Sequence, residues 1–444
     1  MKTIVKAAGV VTAVALSLTA CSNPGAGRND GGAGVTADGT AKVKAKELTV
    51  WTNAADTPAI RDVYKRFGDK FGVKMNIVSI SADAYESQVQ TKWASGDRPD
   101  ILEYHATSLF WALNPAKNLV DMSRMPYVAK SGKIYDVAGS LEGKVYAAIT
   151  DTPALMDMFY NKKLFEKYGL QAPKTYADIE SICTTLKKKA PSVAPIWESG
   201  GSVWPTQILG GLMYMGSAQK SEDWADQVLK KKTTFDAPGS PYTAALEEYK
   251  KLHDMGCFNK DATTAKFEDS VKAVSEGTAA MVALHSGLIS MFNDQFGGDT
   301  AKTDATIGFA YPSADGAVSA WAPNLSGTWY VPKTGDGAKE STALAFIQYA
   351  TGAGYQEYVN ATKTFPVLDG ATPPTGVQGL AQQVADAYKD SSQLAFNSNL
   401  IGYNSQGAAY LTGILSGSET PADAAKKSQK AFEQAATAAG LPGW

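Results

Sequence analysis

The chain has 444 residues, and its 42 Lys plus Arg stand against 44 Asp plus Glu, a formal charge of −2. A duplex binder draws most of its affinity from Lys and Arg set against phosphates, so a balanced total without a dense basic run argues against nucleic acid and against a basic membrane-surface helix. Hydrophobic residues make up 44%, and the length exceeds the ~250–300 residues at which one core stops growing, so two lobes with room for a cleft are expected.

Lys2 and Lys6 give a positive start, Ala7 to Leu18 is mostly apolar, and Leu18-Thr19-Ala20-Cys21 follows. This reads as a bacterial lipoprotein signal over residues 1–20: small residues precede a Cys that is lipidated, and the apolar run is shorter than the ~20 residues of a membrane span. An ordinary secretory signal is the alternative; both export the protein. Residues 21–46 are rich in Gly, Ala, Ser, Thr and Asn and almost lack large apolar side chains, so a flexible tether is expected. Once Cys21 is lipidated, Cys183 and Cys257 remain. They are candidates for a disulfide in an oxidising compartment, which requires Cα atoms within ~4.4–6.8 Å, a distance the sequence leaves open. Neither spacing suits a metal site, and no cofactor is expected.

Lys46 to Trp51 reads as a strand, and Thr57-Pro58 supplies an N-cap and first-turn proline for a helix carrying Ile60, Val63, Tyr64, Phe67 and Phe71. Val73, Met75 and Ile77 then alternate as a second strand. A helix with Tyr85, Val89 and Trp93 follows, and Pro99-Asp100-Ile101-Leu102 opens a third strand. Strands alternating with helices of this length predict a parallel sheet. Ligands of such sheets sit beyond the carboxyl ends of the strands, which selects Trp51, Thr52 and Asn53, then Ser79 and Ser81, then Glu103, Tyr104 and His105. That set is aromatic, uncharged and acidic, and its lack of clustered cations argues against phosphate or carboxylate ligands.

Further along, Val145 to Ile149 and Leu155 to Tyr160 are strand-like runs broken by Thr150-Asp151-Thr152-Pro153, as expected where a chain passes between lobes. Thr175, with Asp178 three residues on, caps a helix whose apolar face is Ile179, Ile182 and Leu186. Glu268 to Ser275 reads as a helix ended by Gly277, and Ala279 to Leu284 as a buried strand. Thr420-Pro421 starts a C-terminal helix with Ala424, Ser428, Ala431, Phe432 and Ala435 on one side.

Several stretches together resemble the extracytoplasmic solute-binding proteins (family 1) of carbohydrate ABC importers, the maltose and multiple-sugar-binding lipoprotein group. They are Leu48-Thr49-Val50-Trp51, Ala94-Ser95-Gly96 running into Pro99-Asp100-Ile101, Gly143-Lys144-Val145-Tyr146, and Tyr160-Asn161-Lys162 with Leu164-Phe165 and Tyr168-Gly169-Leu170. Pro173-Lys174-Thr175-Tyr176, Gly277-Thr278-Ala279-Ala280-Met281 and Val331-Pro332-Lys333 complete the series. The resemblance implies an α/β, two-lobed periplasmic-binding-protein-like fold, each lobe a sheet flanked by helices and joined by hinge strands. Carried over, it implies an N-terminal lobe of residues 47–149 and 271–325 and a C-terminal lobe of residues 151–270 and 326–444. It further implies capture of a sugar between the lobes and delivery to ABC permease subunits, by a monomeric protein held to the cell membrane through its N-terminal lipid.

A sugar offers a face of C–H groups and a rim of hydroxyls, which call for an aromatic platform and fixed hydrogen-bonding groups. Trp51, Trp204, Trp329 and Tyr403 are flanked by Gly, Ser, Thr or Asn and are the expected platforms, although each also suits packing or plain surface. Asn53, Glu103, His105 and Asp151 are the expected rim. Trp93 and Trp111 fall in helical patterns and are read as packing residues. Relatives often carry Gly-x-Trp after the Ala-Met pair; here Ala280-Met281 leads to His285-Ser286-Gly287-Leu288, a stretch without Trp. The rival reading is an exported glycoside hydrolase, which needs two carboxylates across the scissile bond. Neither His-Glu-x-x-His, nor Gly-x-Ser-x-Gly, nor a phosphate-binding Gly-Lys-[Ser/Thr] loop occurs, and no repeats suggest a structural surface protein.

Overall fold

The computed structural model describes residues 39–214, 224–312, 319–363, 365–390, 392–400, 403–441 and 443–444. The signal at residues 1–20, Cys21 and the first part of the tether lie outside the described residues. The strands, in chain order, are β1 (Glu47–Asn53), β2 (Lys74–Ile80), β3 (Ile101–Glu103), β4 (Ser140–Leu141), β5 (Lys144–Val145), β6 (Ala148–Ile149) and β7 (Ala154–Asn161). Then follow β8 (Ala194–Trp197), β9 (Ala279–His285), β10 (Ile307–Ala310), β11 (Ser319–Ala322), β12 (Thr328–Tyr330) and β13 (Ser392–Leu394).

The first lobe is built on a five-stranded sheet ordered β2-β1-β3-β12-β6. β1 runs parallel to β2 and β3, as the alternation of strands and helices predicts. β12 is antiparallel to both β3 and β6, which makes the sheet mixed. The helix Pro58–Phe71 starts where expected: Thr57 accepts a hydrogen bond from the Ile60 amide, and Gly72 closes the helix at φ +64°. Its buried Ile60, Val63, Tyr64 and Phe67 cover one sheet face together with Phe346 and Tyr358. Tyr85, Val89 and Trp93, from the helix Tyr85–Ala94, cover the other.

The second lobe is a six-stranded mixed sheet ordered β13-β11-β7-β9-β8, with β10 also paired to β7. The helices Tyr176–Lys189, Pro241–Asp254 and Pro421–Ala438 pack on one face, and Phe267–Glu276, Ile289–Gln295 and Gly379–Asp390 on the other. Cys183 and Cys257 are joined in a disulfide with Cα atoms 5.5 Å apart, inside the range the bond requires.

Two expected boundaries need correction. Residues 271–325 belong to the second lobe, because β9 pairs with β7 from Met156 to Tyr160 and β10 and β11 pair with β7 as well. Residues following 326 return to the first lobe, where β12 completes the sheet and the helices Gly337–Ala350 and Tyr355–Thr362 pack on it; the chain is back in the second lobe by the helix Gly379–Asp390. The described end of the tether is likewise docked. The Lys44 and Ala45 amides donate to Thr342 Oγ1 at 2.8 Å, and Ala41 and Val43 pack on the first-lobe core.

The chain thus crosses between lobes at 150–153, at 323–327 and between Leu368 and Leu380. These crossings lie side by side. The Thr150 amide donates to the Gly327 carbonyl at 3.0 Å, Thr152 Oγ1 to the Phe365 carbonyl at 2.9 Å, and Asn324 Nδ2 to Asp151 Oδ2 at 2.8 Å. Gly327 sits at φ +74°, and a Cβ there would come within 2.9 Å of Thr150 Oγ1, so this contact needs glycine.

Candidate functional site

A cleft enclosing about 1220 Å³, counted to its open mouth, lies where the two sheets face each other. The first lobe contributes Asn53 from the end of β1 and His105 from just beyond β3, as the strand-end rule predicts. The crossings contribute Asp151, Asn324 and Ser326. The second lobe contributes Met156 on β7, Trp204, Gln207 and Ile208, Phe267, His285 at the end of β9, and Ser398.

Four expected site residues therefore meet. Asn53 Oδ1 accepts from the Ala55 amide at 2.9 Å. His105 Nε2 is 2.8 Å from Glu86 Oε1. Burial raises the Glu86 carboxyl, and hydrogen bonding and charge from His105 outweigh it, so Glu86 sits below the usual carboxylate range. Burial pushes Asp151 up to about 6, against hydrogen bonds from the Thr152 amide, Asn324 and Tyr358. Trp204 stands against Phe267 and His285, with ring centroids 5.2 and 5.6 Å away.

Three expected residues are elsewhere. Trp51 is 3% exposed and packs under the helix Tyr85–Ala94 with Lys92 Nζ 5.1 Å from its ring centre. β1 continues to Asn53, so Trp51 lies inside the strand rather than at its end. Trp329 occupies the interior strand β12, 1% exposed, with Nε1 donating to Tyr64 OH at 2.8 Å. Glu103 is fully buried behind the cleft; it accepts from Thr52 Oγ1 at 2.6 Å and from the Gly327 amide at 2.7 Å. Burial and the adjacent Asp56 hold its carboxyl well above the usual range. Tyr403 begins the helix Tyr403–Ser416 rather than lying in a loop, and its side chain lies outside the described residues.

Sequence reading did not select Glu86, Gln207, His285, Asn324 or Ser398. The strand-end rule applied to β9 would have found His285; the others lie on helices and crossings that carry no local signal. Burial lowers the His285 imidazole to about 4, with His105 adding to the effect, so the ring is neutral near pH 7. Glu86 is paired on the first-lobe side, and with His285 neutral the second-lobe lining, Trp204, Gln207, Phe267, His285 and Ser398 among it, carries no strong charge. Among the described residues, no group of three His, Cys, Asp or Glu side chains is placed to hold a metal ion. No described helix is long and apolar enough to cross a membrane.

Two α/β lobes on adjacent crossings, with an aromatic and hydrogen-bonding cleft between them, define a two-lobed ligand-binding protein. The family model described as bacterial extracellular solute-binding protein matches residues 62–392, well over half of the chain. The chain belongs to that family. The melibiose/raffinose/stachyose-binding protein MelE of Bacillus subtilis is 22% identical over 247 residues, 53% of this chain, and the chain spans only 55% of MelE. The multiple sugar-binding protein of Streptococcus mutans is 22% identical over 340 residues, 75% of this chain and 74% of that protein. Among solved structures, a chitin oligosaccharide binding protein superposes with TM-score 0.74 at 16% identity, over 88% of this chain and 99% of that one. The raffinose complex of RafE superposes with TM-score 0.72 at 18% identity, over 87% and 99%. At these identities the structural likeness establishes the two-lobed fold.

Proposed function

We propose that this chain captures a carbohydrate, an oligosaccharide rather than a single sugar, in the inter-lobe cleft and delivers it to the permease of an ABC importer. The observation that carries this reading is Trp204, set against Phe267 and His285 in a largely apolar wall that also holds Gln207 and Ser398. An indole face takes the C–H face of a pyranose, and the surrounding groups take its hydroxyls. The carbohydrate names carried by the relatives support the same class of ligand. Ligand contacts with both lobes shift the population toward the closed form, which then docks on the permease. Leu18-Thr19-Ala20-Cys21 supports lipidation of Cys21 and tethering of the chain outside the cytoplasmic membrane.

Capture without chemistry is the reading the cleft supports over hydrolysis. Its carboxylates are engaged, Glu86 by His105 and Asp151 by Asn324 and the Thr152 amide. The test is incubation with raffinose, stachyose, maltotriose, xylotriose and chitotriose, followed by thermal melting and product chromatography. A bound sugar at a hundredfold excess over Kd stabilises the chain by about 2.7 kcal/mol and is recovered intact. Trp204→Ala should weaken that binding about tenfold; because the indole also packs on the second-lobe core, the ligand-free melt should fall while the chain stays folded. Release of shorter sugars would instead identify a hydrolase.

A further inference from the structure

Three residues that line the cleft each carry a buried side-chain atom with no hydrogen-bond partner among the described residues: Gln207 Oε1, His285 Nδ1 and Ser398 Oγ. All three belong to the second lobe, Gln207 just before the helical turn Ile208–Met213, His285 at the end of β9 and Ser398 in the short helix Phe396–Asn399. Gln207 is 9% exposed and Ser398 3%. Facing them, the first-lobe groups already have partners within their own lobe, Asn53 in the Ala55 amide and His105 in Glu86. A polar atom sealed from water and left unpaired destabilises a fold, so three of them around one cavity mark places that something else completes.

The chemistry of the three atoms restricts what completes them. Gln207 Oε1 only accepts, Ser398 Oγ accepts or donates, and His285 Nδ1 does either according to tautomer. None is a fixed charge, which disfavours phosphate, carboxylate and ammonium groups. Hydroxyls satisfy all three. Trp204 lies against His285 and three residues before Gln207 in the same wall, which sets an apolar ring face beside these polar points.

We propose that Gln207, His285 and Ser398 form the recognition face of the second lobe, completed by hydroxyls of one sugar ring stacked on Trp204, and that this face sets which sugar is taken. This assignment rests on the carbohydrate reading above and goes further by naming the specificity-determining residues. It predicts an inverse relation between stability and affinity. An apolar replacement of similar shape removes the unpaired group from the free protein, so it leaves stability unchanged or higher, and it removes a ligand contact.

The test uses Gln207→Met and Ser398→Ala in the full chain, with ligand-free melting and calorimetric titration against raffinose, stachyose, maltotriose, xylotriose and chitotriose. The expected result is a ligand-free melting temperature at or above that of the wild type, with affinity for the sugar the wild type binds lowered roughly tenfold in each variant. Wild-type binding with unchanged affinity in both variants overturns this assignment alone, as does a lowered ligand-free melt with affinity retained, which marks a packing role. If the wild-type chain binds no sugar of the panel, the carbohydrate reading falls and this assignment with it. Ser398→Ala deletes a single hydroxyl, so it carries the test by itself should Gln207→Met lose the folded state.

Discussion

Val203 adopts φ +64°, and the Trp204 amide donates to the Ser202 carbonyl at 2.7 Å, a three-residue turn with a β-branched residue at its centre. Such a residue in the left-handed region costs about 1–2 kcal/mol. The loop is held there from below. A Cβ at Gly201 would come within 2.2 Å of the Thr264 carbonyl oxygen, and Ser202 Oγ accepts from the Phe267 amide at 3.1 Å. The strain therefore falls on the residue that aims Trp204 into the cleft. Val203→Gly should melt no lower than the wild type and bind its sugar several-fold more weakly, because the relaxed turn no longer fixes the indole; equal affinity in titration would deny Val203 that role. The glycine run marked this loop in the sequence. Trp51 and Trp329 also have small polar neighbours, yet their positions inside paired strands put them in the core, and neighbours along the chain do not report pairing. Two residues before the glycines, burial pushes the Glu198 carboxyl up to about 7, against hydrogen bonds from the Ser199 amide and Tyr249. Because the folded pKa lies above the unfolded one, the stability this group contributes is full below about pH 4.5 and is lost as pH rises through about 7. Glu198→Gln should flatten that loss, seen as a smaller fall in melting temperature between pH 5 and pH 8 than in the wild type.

At the scale of elements, local sequence was a good guide because caps and periodicity act within a few residues. Thr175 and Asp178 form a reciprocal capping box, with the Asp178 amide donating to Thr175 Oγ1 at 3.2 Å and the Thr175 amide to Asp178 Oδ2 at 2.9 Å. The helix Tyr176–Lys189 that they start buries Ile179, Ile182 and Leu186 as its spacing predicts, and Cys183 shares that face. Its partner Cys257 follows the helix Pro241–Asp254 and accepts from the Ile196 amide at 2.9 Å, so the disulfide ties two helices beside β8. The bond closes a loop with a sequence separation of 74 residues, and the chain-entropy account assigns such a loop about 4 kcal/mol. Both sulfurs are sealed from solvent, so reductant should not reach them in the folded state. A Cys183→Ala, Cys257→Ala double variant should melt markedly lower than the wild type yet bind sugar equally at 25 °C, since neither residue lines the cleft. A matching loss of affinity would show that the bond also shapes the site.

For the whole molecule, the decisive contacts join residues far apart in sequence, and these were the least legible. β12 enters the first sheet by pairing Trp329 with Glu103, and the Gly327 amide reaches the Glu103 carboxylate at 2.7 Å; no local pattern announces either contact. That carboxylate, expected at the cleft, instead ties β1, β3 and a crossing together through Thr52 and Gly327. It secures the first-lobe side of the hinge. Across the cleft, Lys266 Nζ of the second lobe lies 2.8 Å from Asp83 Oδ2 of the first and also donates to the Gly201 carbonyl at 2.7 Å. One ammonium thus links the opposite lobe to the loop that carries Trp204. The pair is half exposed, so its contribution is small, and it acts only when the lobes meet. Removing it should therefore favour the open form without unfolding either lobe. Asp83→Asn should weaken sugar affinity roughly two- to fivefold, chiefly through faster dissociation, because the contact holds the two lobes together on either side of the cleft. In 0.5 M NaCl the gap between variant and wild type should shrink as screening weakens the ion pair. A gap that persists at high salt would place the effect in packing around Asp83 rather than in a charge that holds the lobes closed.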